Sequence, residues 1–99
     1  MHIISRKALR DFWEKHPDSQ APLTRWFRVV KAGQFGSFPE LRAVFPSADK
    51  VGKWVIFNIG GNKYRLITQI YYEDQTVLIR FVLTHADYNR EKWKNDCNR

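Results

Sequence analysis

Apolar residues along the chain change period near its middle. In the first third, Leu9, Phe12, Trp13 and His16 fall at i, i+3, i+4 and i+7, the spacing of one helical face, and Leu23, Trp26, Phe27 and Val30 form a second stripe. This spacing predicts two helices folded into a hairpin. Ser5 stands where a cap would, and Pro17 disfavours helix at His16 and closes the first segment. Pro22 suits the first turn of a second helix that starts at Asp18 or Ser19 and runs to Gly33. Residues 2–5 read as a short extended opener. Aromatics at helical spacing usually bury against a sheet, so Trp13 and Trp26 are expected in the core.

Residues 34–53 lack a clear period. Ser37 followed by Glu40 matches a capping box and predicts a short helical turn ended by Pro46, with 47–53 as a polar loop. From Trp54 onward the period is two. Residues 54–59 and 63–72 flank Gly60-Gly61-Asn62, and 75–84 follow Glu73-Asp74, which predicts an antiparallel meander with two tight turns. No helical pattern follows Gly60-Gly61, so these glycines read as a hairpin turn rather than a phosphate loop. A short terminal helix is possible over 86–94. The fold class expected is α+β: one domain spanning 1–99, with a small antiparallel sheet, made of a short N-terminal strand plus the meander, packed against the helical hairpin.

Alternation places Tyr64, Leu66, Thr68 and Ile70 on one face of the second strand, and Lys63, Arg65, Ile67 and Gln69 on the other. On the third, Val77, Ile79, Phe81 and Leu83 oppose Leu78, Arg80, Val82 and Thr84. The faces holding Leu66 and Phe81 are expected to be core. A two-residue Glu73-Asp74 turn sets Ile67 opposite Arg80 and Arg65 opposite Val82, which leaves both arginines outside; a one-residue slip would separate them.

Charge gives that outer face a meaning. The chain of 99 residues carries 17 basic and 10 acidic side chains, a net charge of +7, with four Trp, four Tyr and seven Phe. Cations and flat rings together suit nucleic acid, although a basic surface can equally be only a solvated one. The outward helix residues Arg6, Lys7, Arg10, Arg25, Arg28 and Lys31 could likewise be solvated or grip a partner. Cys97 is the sole cysteine, so no intrachain disulfide can form, and with no signal-peptide or membrane-spanning pattern the chain reads as cytoplasmic. His2, His16, His85 and Cys97 are scattered without a close ligand pair, so neither metal nor cofactor is expected.

Arg65, Arg80 and Lys63 on one sheet face, with His85 and Tyr88 where the last strand exits, form a cationic surface with one group that titrates near neutrality. Metal-free RNA cleavage needs a base for the 2′-hydroxyl, a cation for the phosphorane and an acid for the departing 5′-oxygen. Histidine, at about pKa 6.5, serves as either acid or base, whereas arginine stabilises charge. On spacing alone, a non-catalytic RNA- or ribosome-binding module, or a protein partner docking through the helical hairpin, accounts for the same residues.

The runs VIFNIGGNKYRLITQIYY and VLIRFVLTHADYNREKWK, with ELRAVFPSADKVGKW before them, closely resemble HigB-type toxins of bacterial toxin–antitoxin modules, within the RelE-like mRNA interferases. The resemblance covers nearly the whole chain. It implies a RelE-like fold and a metal-independent endoribonuclease that cuts mRNA, often on the ribosome, and so inhibits translation. It also implies a cognate helix-turn-helix antitoxin, HigA-like. By position it implies catalytic roles for Arg65, Arg80, His85 and Tyr88, and RNA contacts by Lys53, Lys63, Arg65 and Arg80. Some relatives use a carboxylate, for which Asp87 or Glu40 are the expected candidates.

Overall fold

A computed structural model describes residues 1–90, 93 and 94. Strand β1 (His2–Ile4) leads into α1 (Arg6–Lys15), a short 3-10 turn (Pro17–Ser19) and α2 (Gln20–Ala32); α3 (Phe38–Val44) then precedes β2 (Asp49–Val51), β3 (Trp54–Ile59), β4 (Tyr64–Tyr71), β5 (Thr76–Thr84) and α4 (His85–Asn89). The sheet order is β1-β5-β4-β3-β2, with β1 parallel to β5 and the other pairs antiparallel. No helix among the described residues is long and apolar enough to cross a membrane.

The helical hairpin forms as its stripes require. Leu9 of α1 and Leu23, Trp26 and Val30 of α2 are buried, with Phe12, Trp13 and Phe27 packed at the margin. Pro17 ends the first helix, and the Ser19 hydroxyl donates to the His16 carbonyl at 2.7 Å, so α2 begins one residue later than expected, at Gln20. Ser5 has the extended backbone of a cap residue, but its side chain makes no capping bond. The Ser37 capping box does form. Ser37 Oγ accepts the Glu40 amide, and the Glu40 carboxylate reaches back to the Gly36 amide at 3.0 Å; the helix it starts continues to Val44.

Two features of the sheet depart from expectation. The first is β2, where a polar loop was expected. Val51 pairs with Trp54 across Gly52-Lys53, and Gly52 takes φ +59, the conformation a primed two-residue hairpin turn needs and one that glycine adopts without strain. A strand of three residues offers too little alternation to stand out from a loop. The second is a bulge in β5. From Tyr71↔Thr76 to Thr68↔Ile79 the pairing follows the expected register, then shifts so that Ile67 pairs with Phe81 and Arg65 with Leu83. Arg80 is the extra residue. Val77 and Ile79 therefore face the helices while Phe81 and Leu83 turn to the opposite face, which corrects the expectation that these four share one side and that Phe81 joins Leu66 in one core.

The sheet thus has two apolar faces. Against the helices lie Val55, Phe57, Ile59, Tyr64, Leu66 and Val77. On the open face Trp54, Ile56 and Ile67 are buried with Trp93, flanked by Val51, Phe81, Leu83 and Tyr88. Expected as Ala86 to Lys94, the terminal helix is α4, begun one residue earlier by Thr84, whose hydroxyl accepts the Asp87 amide at 3.1 Å. Trp93 and Lys94 are helical, while Cys97 lies outside the described residues.

Candidate functional site

Arg65 is the anchor of the open face. It is only 8% exposed, an unusual place for a guanidinium. Nη1 donates to the carbonyls of Asn62 at 3.2 Å and Tyr64 at 3.1 Å, Nη2 donates to the Asn62 side-chain oxygen, and the group lies 5.5 Å over the Tyr88 ring. The β3–β4 turn supplies these acceptors, so the hairpin that makes the sheet also orients the arginine. No carboxylate pairs with it among the described residues. Three of its five N–H donors are thereby used, and two remain for an anion.

Tyr88 is held in turn. Its ring stacks on Trp93, with centroids 5.3 Å apart and planes 14° apart, and its carbonyl accepts the Trp93 indole N–H at 3.1 Å. Arg65 and Tyr88 open on a cavity of about 310 Å³, whose polar lining also includes Arg42 from α3, Ser47, Asp49 from β2 and Asn58 from β3. Asn58 lies directly across from Arg65, and Asp49 across from Ile56 of the open-face cluster, so both belong to this face. Asp49 accepts the Lys50 amide at 2.8 Å and makes no ion pair with Arg65 among the described residues.

The remaining expected residues divide into three places. Arg80 does share the open face with Arg65, through the bulge rather than through the uniform register expected. Its guanidinium sits 5.6 Å over the Trp54 ring, where the Lys53 ammonium also lies at 5.1 Å, so these two cations form a second group beyond the cavity lining. Lys63 lies in the turn before β4 and pairs with Asp18 at 3.1 Å on the helix side. His85 is half-buried at the first position of α4, its backbone amide bonded to the Lys63 carbonyl at 2.9 Å. It stands three residues before Tyr88 and so on the same side of that turn, although it does not line the cavity.

Asp18 also accepts the Tyr64 hydroxyl at 2.6 Å. This bond, with the Lys63 ammonium beside it, holds the Asp18 carboxyl below the usual carboxylate range, and it raises the Tyr64 phenol above its ordinary value. Of the expected carboxylates, Glu40 is engaged in helix capping, and Asp87, whose backbone amide is capped by Thr84, pairs through its carboxylate with Arg90 at 3.7 Å. Asp49, Asn58 and Arg42 went unrecognised in the sequence. The Val51-Gly52-Lys53-Trp54 turn was the available signal, since a hairpin there places Asp49 on the face of Trp54 and Ile56.

Comparison with known proteins decides the family. Residues 19–91 match HigB_toxin, the RelE-like toxic component of a toxin-antitoxin system. The chain belongs to the HigB toxin family. It is 38% identical to the mRNA interferase toxin HigB of Escherichia coli (strain K12) over 92 residues, covering 90% of this chain and 88% of that protein. It is 30% identical to the mRNA interferase HigB of Escherichia coli O6:H1 over 93 residues, covering 91% and 90%. Helices on a mostly antiparallel sheet agree with the RelE-like fold of the HigB family.

Proposed function

We infer that this HigB-family toxin is an endoribonuclease that cleaves mRNA, and that it does so on the ribosome. The observation that carries this is Arg65: a buried guanidinium, locked by the β3–β4 turn, with no carboxylate partner among the described residues and with donors left for a polar cavity. Such a preorganised cation costs no reorganisation when negative charge develops on a phosphorane. The relatives named as mRNA interferases support the reading.

In the proposed reaction a base takes the 2′-hydroxyl proton, the freed oxygen forms a bond to phosphorus, the bond to the 5′-oxygen breaks, and that oxygen takes a proton from an acid. Asp49 faces the cavity and is the proposed base. His85 gives the leaving oxygen its proton, and Tyr88 sets the plane of the Arg65 fork. Arg65 and Arg80 both act on phosphate, Arg65 at the reacting group and Arg80, with Lys53, along the adjoining strand; Lys63, expected to join them, is instead paired with Asp18 on the helix side. No cofactor enters this scheme. The partner that neutralises the toxin is proposed to be a helix-turn-helix antitoxin.

Cleavage of mRNA on purified translating ribosomes tests this. Arg65→Ala, Asp49→Asn and His85→Ala lose cleavage with folding intact, and Arg80→Ala weakens it. Full activity in Arg65→Ala ends the mechanism, and RNA binding without cleavage by the unaltered protein turns the chain into a binding module.

A further inference from the structure

The cavity beside Arg65 is not closed. It shares Pro46, Ser47 and Asn58 with a depression of about 340 Å³ between α2, the end of α3 and the Gly60-Gly61 turn. That depression in turn shares Arg25 and Val29 with a broader one of about 670 Å³ along the outer face of α2, which reaches Arg28 and Pro17. One concave path therefore runs from the open face, around the edge of the sheet beside β2, to the helical hairpin. By contrast, the depression beside Lys53 and Trp54 shares no lining residue with the Arg65 cavity.

The cations along this path differ from most of those elsewhere. Lys7, Lys63 and Arg90 have carboxylate partners, and Arg6 and Lys31 lie against the Phe27 ring. Arg42, Arg25 and Arg28 have neither among the described residues, and all three are exposed. Like charges strung along one groove without counter-ions repel each other, and a polyanion that follows the groove relieves that repulsion.

We propose that a single RNA strand entering the Arg65 cavity continues around the Pro46-Ser47 edge onto the outer face of α2, where Arg25 and Arg28 hold its backbone phosphates. This rests on the ribonuclease reading of the cavity. A strand longer than the cavity must leave it; the depression along α3 that also adjoins the cavity offers no cation beyond Arg42, whereas this path adds Arg25 and Arg28. The arginines on α2 then supply grip independent of base sequence and take no part in bond cleavage.

The test uses the full chain and single-stranded RNA with a 2′-deoxy nucleotide at the cleavage position, in a short form that fills only the cavity and in a longer form. The Arg25→Ala/Arg28→Ala double variant is expected to melt like the unaltered protein, to bind the short strand equally, and to bind the long strand about 10-fold more weakly. Its salt slope on the long strand should fall by about one to two, one for each phosphate that no longer meets an arginine. An unchanged gain in affinity with length overturns the path. So does intact binding of long RNA with loss of antitoxin binding, which would make the α2 face a protein interface. If the unaltered protein binds neither strand, the path is overturned; the ribonuclease reading falls as well only if the protein also fails to cleave ribosome-bound mRNA that carries the 2′-hydroxyl, an outcome distinct from the first.

Discussion

On the helix-covered side of the sheet, Leu66 and Val77 meet Leu9, Leu23 and Val30, all fully removed from water, and polar side chains are nearly excluded. On the open side the same strands bury Trp54, Ile56 and Ile67, but they surround that patch with Arg65, Arg80, Lys53, Asp49 and Asn58. One face satisfies itself; the other is built around charges with few acidic partners. The difference separates the origin of stability from the origin of function. The second apolar cluster serves mainly as a rigid floor, which fixes the rings on which the cations rest.

That separation is strongest at Arg65. Arg65→Ala should lower cleavage of ribosome-bound mRNA by about 10²- to 10³-fold, the size of loss seen when one preorganised donor to a developing anion is removed. Arg65→Lys should restore only part, since a point charge cannot reproduce the forked contacts with Asn62 and Tyr64. On the helix side the mirror case is Leu66→Ala. It should cost roughly 2–5 kcal/mol by leaving a cavity, and lower the thermal midpoint by about 10 °C or more in a domain of this size. Ile67 tests the comparison from within. It points to the open face yet is fully buried, so Ile67→Ala should lose stability on a similar scale, and a small effect in thermal unfolding would show the open-face cluster to be loosely packed.

Deleting Arg80 removes the bulge and leaves Ile79 and Phe81 in a regular ladder opposite Thr68 and Ile67. The variant should keep most of its thermal stability while its RNA affinity falls and its salt slope drops by about one. Severe destabilisation would mean that the bend itself, and not only the side chain, is needed.

The smallest effect belongs to Asp18, in the turn between α1 and α2. Its depressed folded-state pKa, caused first by the Tyr64 hydroxyl and then by Lys63, gives stability that is present above the unfolded value of about 3.9 and lost as pH falls through the lower folded value. Asp18→Asn should therefore be slightly less stable than the unaltered protein at neutral pH and converge with it below about pH 4, which flattens the acid limb in equilibrium unfolding. Tyr64 carries the opposite sign: its raised pKa gives stability that is lost as pH rises through the folded value above 10.

The helical stripes, the Ser37 capping box, both long hairpins and the core positions of α2 were legible from residue spacing, because each is a local pattern repeated over many residues. Arg65 and Arg80 were legible as a charged pair for the same reason, since alternation put both on the outer face, whereas His85 and Tyr88 became candidates only beside those arginines and through the family resemblance. The sharing of a face by Arg65 and Arg80 was inferred correctly from a register that holds over only half the β4–β5 pair. Periodicity has no marker for an extra residue in one strand, and the bulge at Arg80 is set by how the two apolar faces are packed. Likewise, Asp49, Asn58 and Arg42 join Arg65 only because β2, β3 and α3 converge on one cavity. Local sequence thus determined the elements and the chemical character of the open face. Tertiary packing decided which charges meet there, because contacts between distant segments depend on strand order and register rather than on spacing along the chain.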